Sequence, residues 1–313
     1  MKTPVHHPFA WIIAAALFPL PSMAQDEEES DLQAELDRIF AEAALEAPIQ
    51  GPDWDRERGT IIFDATGGRY EKGAHFGKWF WPDFTGDRWG KYSVRMDYTS
   101  IVPKVGFQFY IGEQKAKGYA AATGAMDRDG SAMLSDIYLS DTSTYPVGML
   151  SGDDSNGMTF RLKKVILTPT AEGNRPSQGI DGGVILEAGE ATTYSRSMRF
   201  EPKAEKQCLG FWTDEKDWAE WRFSVHDGGD FQMEIFYGCG GEGNAGSTVE
   251  VWLDDTSYEF TVEDTGGFQS WVGHGFGKVS LKEGEHLVAV KPKNKVGKAV
   301  LDVQKVVFTP VAE

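Results

Sequence analysis

Short stretches that alternate apolar and polar side chains dominate the second half of the chain. Residues 221–225 read Trp-Arg-Phe-Ser-Val, and the same period of two recurs at 231–236, 249–253, 258–262 and 286–290. Glycine-containing turns separate these stretches, at 227–229, 240–241, 266–267 and 283–284. A period of two puts alternate residues on opposite faces of a strand, and closely spaced turns favour antiparallel pairing. The pattern therefore predicts an all-β fold, an antiparallel β-sandwich.

The order of these apolar segments occurs twice along the chain. Each copy opens with a short apolar strand, passes a Phe-Trp pair, continues through a strand containing Ser-Val, and closes on an apolar run that ends in Thr-Pro. These features lie at 60–64, 80–81, 93–94 and 165–169 in the first copy and at 184–188, 211–212, 224–225 and 306–310 in the second. Self-similarity over the length of a whole domain indicates duplication of a folding unit. The sequence predicts two tandem modules, at 59–171 and 184–313, joined by a Gly- and Pro-rich linker at 172–183.

The first 24 residues have the pattern of a signal peptide. Lys2 is followed by an apolar stretch at 11–20 that is too short to span a bilayer, and Ser22 and Ala24 provide small residues for cleavage. No cysteine follows the cleavage site, as a lipoprotein would require, and no later segment reaches the length of a membrane span. We expect a secreted or periplasmic protein.

Residues 25–58 are predicted to form an acidic helical segment and a linker. Leu32, Leu36, Ile39 and Phe40 lie at helical spacing behind a run of acidic residues. Two interpretations remain open: a solvated leader, or a helix that docks to another protein of the cell envelope.

The net charge of the chain disfavours a nucleic-acid partner. The formal charge is −17 at pH 7 and the isoelectric point is about 4.8, whereas phosphate binding requires concentrated basic side chains. Along the sequence, the nearest approach to a basic cluster is the group of lysines between 291 and 298, which Pro, Asn and Gly interrupt as in a solvated turn.

No motif in the sequence predicts an enzyme. The Gly-x-Ser-x-Gly elbow of hydrolases and the His-x-x-x-His spacing of metal sites are both absent. Acidic pairs such as Asp153-Asp154 and Asp254-Asp255 are typical of the surface of an acidic exported protein, although a converging pair could hydrolyse glycosides. The two cysteines, Cys208 and Cys239, are interpreted either as a disulfide or as buried thiols.

The second module resembles a known family in a series of motifs. Leu-Gly-Phe-Trp at 209–212 is followed by the strands at 217–225 and 229–235, by Asp-Thr-Gly-Gly-Phe-Gln-Ser-Trp at 264–271, by 279–287 and by Ala-Val-Leu-Asp at 299–302. In order and spacing these resemble the galactose-binding-like jelly rolls, especially the family-six carbohydrate-binding modules. The resemblance covers nearly all of 184–310, and the first module looks like a diverged copy of the second.

The resemblance implies a non-catalytic jelly roll that holds a structural calcium ion between its first and last strands. In this chain the calcium ligands would be Glu187 or Glu190 together with Asp302, and carboxylate oxygens of this kind suit Ca²⁺. In the first module Arg161 takes the place of Asp302, so calcium is expected only in the second module.

The resemblance also implies a sugar site in loops at one edge of the second module. Its aromatic positions correspond to Phe211 or Trp212 and to Phe268, and Trp271 is a further candidate; each could instead be a core residue. Val300 stands where the family usually has asparagine. We expect a non-catalytic glycan-binding protein. The alternative is a cell-envelope scaffold or protein-interaction protein whose modules have lost sugar binding.

Overall fold

A computed structural model describes residues 51–74, 76–152 and 158–312, and these residues form an all-β protein. The predicted signal peptide and acidic helix lie outside the described residues. Apart from strands, the described regular elements are two single 3₁₀ turns, Ala65–Gly67 and Ala188–Glu190. Over the same residues, no helix has the length and hydropathy needed to span a bilayer. The predicted fold class is confirmed.

The first nine strands pair with one another in two antiparallel sheets. A four-stranded sheet has the order β1-β9-β4-β7, and a five-stranded sheet has the order β2-β3-β8-β5-β6. The strands are β1 Ile61–Asp64, β2 Arg69–Lys72, β3 Gly77–Thr85, β4 Gly90–Ser100, β5 Lys104–Ile111, β6 Gln114–Ala121, β7 Gly130–Leu139, β8 Thr144–Ser151 and β9 Phe160–Pro169.

The remaining strands form a second pair of sheets. The larger has the order β12-β13-β20-β15-β18, with β10 also paired to β20, and the five-stranded sheet has the order β11-β14-β19-β16-β17. The strands are β10 Val184–Glu187, β11 Thr192–Tyr194, β12 Arg199–Glu201, β13 Cys208–Gly210, β14 Trp218–Val225, β15 Gly229–Cys239, β16 Thr248–Leu253, β17 Thr256–Thr261, β18 Gly267–Leu281, β19 Gly284–Asn294 and β20 Asp302–Pro310.

The register of the outermost pairs repeats between the two halves. Ile61 lies opposite Leu167 in the pair of β1 with β9, and Val184 lies opposite Phe308 in the pair of β10 with β20. In both halves the closing strand ends at the proline of the Thr-Pro motif. Each half also has its own apolar core, which contains Trp79 and Phe109 in the first and Trp221, Phe223 and Phe308 in the second. The predicted boundaries at 171 and 184 stay predictions, because residues 49–313 form one compact unit.

The segment that precedes the first sandwich packs on the second one. We call residues 51–58 the N-terminal strap. Trp54 lies 5.3 Å from Trp218 and 6.4 Å from Trp252 between ring centroids, both edge to face, and the Trp218 indole N–H donates to the Asp55 carbonyl at 2.9 Å. Trp218, Leu287 and Ala289 form an apolar cluster separate from the main core. The strap shields this cluster from water, so the described end of the predicted linker is a packed element.

Ion pairs fix the rest of the strap. Arg56 Nη1 lies 2.7 Å from Glu220 Oε2, and Arg58 Nε lies 2.5 Å from Asp217 Oδ1. The Arg58 and Asp217 side chains are both buried, which makes their charge-assisted hydrogen bond costly to break on one side alone.

The predicted linker at 172–183 also makes specific contacts with the second sandwich. The backbone N–H groups of Glu172 and Gly173 both donate to the Gly189 carbonyl, at 3.0 and 2.7 Å. The Gln178 side chain accepts from the N–H of His226 and of Asp227. Gln178 thus provides a hydrogen-bond acceptor for two backbone N–H groups of the turn after β14.

Replacing Trp54 by alanine is expected to destabilise the protein by about 1–3 kcal/mol, because a half-buried aromatic ring leaves an apolar cluster uncovered. Urea unfolding monitored by circular dichroism measures the change. Trp54→Phe is the matched control, since it keeps a ring over Trp218 and should lose less than half as much. A loss below about 0.5 kcal/mol for Trp54→Ala would contradict a packed strap.

Candidate functional site

Phe211 occupies an unusual backbone position at the end of β13. Its φ is +57°, in the left-handed region that bulky residues seldom adopt, and its side chain is 42% exposed. The turn is closed by Thr213, whose N–H donates to the Phe211 carbonyl at 2.9 Å. Backbone strain held by the surrounding structure often accompanies functional positions. Of the predicted aromatic ligand residues, Phe211 is the one whose ring is clearly presented at the surface.

Trp212 points the opposite way and is a core residue. Its side chain is fully buried, and its indole N–H donates to the Asp217 carbonyl at 3.1 Å. The left-handed turn at Phe211 separates the two rings, so that one faces solvent while the next fills the sandwich interior. The expectation that Trp212 contacts a ligand is therefore wrong, since the interior provides no access to its ring.

The Phe211 ring is held by residues from both sandwiches. The Arg199 guanidinium carbon lies 3.5 Å from the Phe211 centroid and 3.4 Å from that of Trp89, and the two rings meet edge to face at 5.4 Å. Trp89 belongs to the first sandwich and donates its indole N–H to the Phe200 carbonyl at 3.3 Å. Burial lowers the pKa of Arg199 to about 10, so it stays charged at neutral pH. Cation–π contacts compensate a charge that is largely removed from water.

A group of polar side chains lies next to this ring; Glu201, Cys208 and Asp302 are buried, Lys206 is half-buried and Gln269 is exposed. We call Glu201, Lys206, Cys208, Gln269 and Asp302 the Glu201–Asp302 cluster. Lys206 Nζ lies 2.7 Å from Glu201 Oε1 and 5.9 Å from the Phe211 centroid. Gln269 Nε2 donates to Asp302 Oδ2 at 3.0 Å, and the Cys208 thiol donates to the same oxygen at 3.6 Å. Strands β12, β13 and β20 and the start of β18 bring these residues together from distant positions in the sequence.

Burial controls the ionisation of this cluster. It raises the pKa of Asp302 to about 7, and the neighbouring Glu201 carboxylate adds to the shift. Burial also raises the pKa of the Cys208 thiol, with Asp302 contributing, so the thiol stays protonated at neutral pH. At neutral pH the cluster therefore holds one ion pair, between Lys206 and Glu201, and one carboxyl group close to its titration midpoint.

Of the predicted calcium ligands, Glu187 and Glu190 flank the 3₁₀ turn that follows β10, and Asp302 begins β20. Glu187 and Glu190 engage each other's backbone in a capping box around the 3₁₀ turn, with the Glu187 N–H donating to Glu190 Oε2 at 2.8 Å. Among the described residues, the group of potential metal ligands that contains Asp302 consists of Glu201, Cys208 and Asp302, whose ligand atoms lie within 4.8 Å of one another. In this group Lys206 already places a cation on Glu201, while calcium at Glu187 or Glu190 with Asp302 stays a prediction.

Phe268 and Trp271 lie near the start of β18 and are both half-buried. The Phe268 carbonyl packs so closely over Gly238 that a Cβ at that glycine would collide with it. Gln269, between the two predicted residues, connects this segment to Asp302. The structure thus brings Phe211, Asp302 and the 268–271 segment to one edge of the second sandwich.

Sequence reasoning missed Glu201, Lys206 and Gln269. Glu201 and Lys206 lie in a segment without a motif, and only the fold places them beside Asp302. Gln269 had a usable signal, because it lies between two candidate aromatic residues. Both cysteines are free and buried in this structure, so they are buried thiols rather than a disulfide.

No protein-family model matches the chain, and no curated protein matches it either. Solved structures do match. A family 35 carbohydrate-binding module from Clostridium thermocellum has 13% identity, a TM-score of 0.34 and coverage of 41% of this chain and 98% of its own. The C-terminal family-six module of a marine laminarinase from Zobellia galactanivorans has 16% identity and a TM-score of 0.33, with coverages of 41% and 98%. A module of the Cellvibrio mixtus lichenase 5A, solved with cellotriose, has 14% identity and a TM-score of 0.31, with coverages of 41% and 97%.

These matching structures are carbohydrate-binding modules. Each of the three covers 41% of this chain, a length comparable to one sandwich, at 13–16% identity. With TM-scores of 0.34 or less, the similarity assigns no ligand to this chain.

Asp302→Asn should remove a pH-dependent loss of stability. The pKa of Asp302 is raised in the folded protein, so the folded state binds the proton more tightly than the unfolded state. Stability from this group is complete below the unfolded value of about 4 and decreases as the pH rises towards 7, by about 1.4 kcal/mol per unit. Relative to Asp302→Asn, the native protein should lose free energy of unfolding between about pH 4 and pH 7. Above about pH 7 the stability curves of the two proteins should run parallel.

Urea unfolding from pH 4 to 8 measures the difference. The control is Asp230→Asn, which removes an exposed carboxyl group paired with Lys278 and should leave the slope near that of the native protein. Parallel curves for native protein and Asp302→Asn between pH 4 and 7 would refute the assignment.

Proposed function

We propose that this chain is an exported, non-catalytic glycan-binding protein that binds sugar through Phe211 and the Glu201–Asp302 cluster. The observation that carries the proposal is the 42% exposed Phe211 ring beside polar groups that can hydrogen-bond, of which Gln269 is exposed and Lys206 half-buried. A pyranose presents an apolar face of C–H groups and a rim of hydroxyls, which suits one aromatic ring with polar neighbours.

Preorganisation of the ring supports this function. Phe211 is clamped by Arg199 and Trp89, so little side-chain entropy remains to be lost on binding. Glu201 can accept from sugar hydroxyls and Gln269 can donate to their oxygens. Phe268 and Trp271, both half-buried, are proposed to flank the same ligand.

One observation favours the scaffold alternative. Val300, at the position where related modules usually carry asparagine, is fully buried, so no polar group reaches a ligand from there. The contact of Phe211 with Trp89 of the first sandwich would then serve assembly of the chain. In that case partners would be other envelope proteins, with the predicted acidic helix that precedes the strap as the docking element.

Phe211→Ala should weaken binding to the glycan that the protein recognises by about tenfold or more, since removal of one stacking ring costs about 1–3 kcal/mol. A glycan array of neutral oligosaccharides identifies the ligand, and isothermal titration calorimetry then measures Kd. Phe76→Ala is the matched control, because this ring is 39% exposed and lies on the first sandwich. Equal losses in both variants, or no binding of any glycan by the folded native protein, would favour the scaffold.

We further propose that the second sandwich functions without calcium, because Lys206 already provides a cation at Glu201. Addition of millimolar Ca²⁺ or of a chelator should change the Tm by less than about 2 °C. Differential scanning calorimetry measures this. A clear rise in Tm with Ca²⁺ that is lost in Asp302→Asn would restore the calcium site implied by the family resemblance.

A further inference from the structure

The outer face of the five-stranded sheet in the first sandwich is basic. In β3 and β5 the residues that face the core include Trp79, Phe107 and Phe109, so the alternate residues face outward. Strand register places the outward residues in rows across the sheet. We call this surface the basic face, and its charged members are Arg69, Glu71, Lys78, Lys104, Lys115 and Lys117.

The charge of this face is opposite to that of the chain. Five basic residues and one acidic residue give a formal charge of +4, so the rest of the chain carries −17 − 4 = −21. Glu71 pairs with Arg69. Among the described residues, no carboxylate lies within ion-pair distance of Lys104, Lys115 or Lys117. The sequence shows no basic cluster because these side chains come from four separate strands.

Aromatic and small residues lie between these cations. Tyr119 is 64% exposed, and Lys104 Nζ lies 4.1 Å from its ring centroid. The Tyr110 ring lies over Gly148, where a Cβ would collide with its hydroxyl. A shallow cavity of about 380 Å³ opens beside Tyr119 and Lys117, with Gln108 and Leu150 in its lining. The face therefore offers apolar platforms and a hydrogen-bonding amide together with its charge.

The outer face of the corresponding sheet in the second sandwich is neither fully exposed nor positively charged. This face carries Glu220, Glu250 and Glu259 together with Arg222 and Lys291, so it has no excess of positive charge. The strap covers part of it through Trp54 and Arg56. In contrast, Lys104, Lys115, Lys117 and Tyr119 of the basic face are all exposed. Exposure and positive charge are thus specific to the first sandwich and do not follow from the fold.

We propose that the basic face binds an anionic polysaccharide, one that carries carboxylate or sulfate groups. The lysines complement the charge, Tyr119 stacks on a sugar ring, and Gln108 bonds hydroxyls. Five strands spaced about 4.8 Å apart make a surface roughly 20 Å wide, which suits an oligosaccharide segment. The choice of a glycan among polyanions rests on the proposed function, and the charge of −21 elsewhere disfavours a long nucleic acid.

The double variant Lys104→Gln/Lys117→Gln tests the proposal. Binding to polygalacturonate and to dextran sulfate is measured by biolayer interferometry, with neutral dextran as the uncharged probe. We expect the native protein to bind at least one anionic glycan and to bind it more weakly at higher salt, and the double variant to bind about tenfold more weakly. The two anionic probes distinguish carboxylate from sulfate recognition. Lys282→Gln/Lys298→Gln, which removes the same charge from exposed sites on the second sandwich, should retain native affinity.

Other outcomes would overturn the proposal. These are failure of the native protein to bind either anionic glycan at low salt, equal losses in the two double variants, and equally tight binding of single-stranded DNA of matched charge. Phe211→Ala separates the two sites, because it should retain binding to the anionic glycan while losing the neutral ligand. If Phe211→Ala abolishes anionic binding as well, the ligand lies at Phe211 and the basic face has no such role.

Discussion

Asp217 is the buried carboxylate on which the organisation of the candidate site depends. It is fully buried, and its oxygens accept from the Arg58 side chain at 2.5 Å and from the backbone N–H groups of Arg196 and Ser197 at 3.2 and 3.5 Å. A buried carboxylate is stable only when its lone pairs are satisfied. This requirement fixes the strap and the turn between β11 and β12 relative to β14.

The same residue also determines where Phe211 lies. Ser197, held by Asp217, donates its hydroxyl to the Phe211 carbonyl at 3.2 Å, and Trp212 donates to the Asp217 carbonyl. These bonds hold the two ends of the turn, which explains how a left-handed conformation persists at a phenylalanine. Arg199, two residues beyond Ser197, is thereby placed against the exposed ring. The apolar core, the buried charge and the surface ring are parts of one network.

The sequence predicted the strands well, because alternation and Thr-Pro endings are local signals of burial and of strand termination. The motif resemblance also named Phe211 and the 268–271 segment for a sugar site and Asp302 for a metal, and the fold brings these residues to one edge. It could not separate Phe211 from Trp212, since their opposite directions depend on a φ value that a bulky residue rarely takes. The partners Glu201 and Lys206, and the lysines of the basic face, are adjacent only through strand pairing. The strap has no sequence signal of packing, because a lone tryptophan among polar residues has no periodicity.

The strap accounts for part of the difference between the outer sheet faces of the two sandwiches. The strap precedes β1 in the chain and contacts β14 of the second sandwich. Because the strap is covalently attached to the protein, its effective concentration at that face is high. Trp54 of the strap therefore shields Trp218 from water, and the second sandwich can retain an apolar cluster on its outer face. The first sandwich has no such cover among the described residues, and its outer face is correspondingly charged. Because both surfaces belong to one compact unit, a polymer that contacts the basic face and the Phe211 edge would meet two sites whose separation is fixed by packing rather than by a flexible linker.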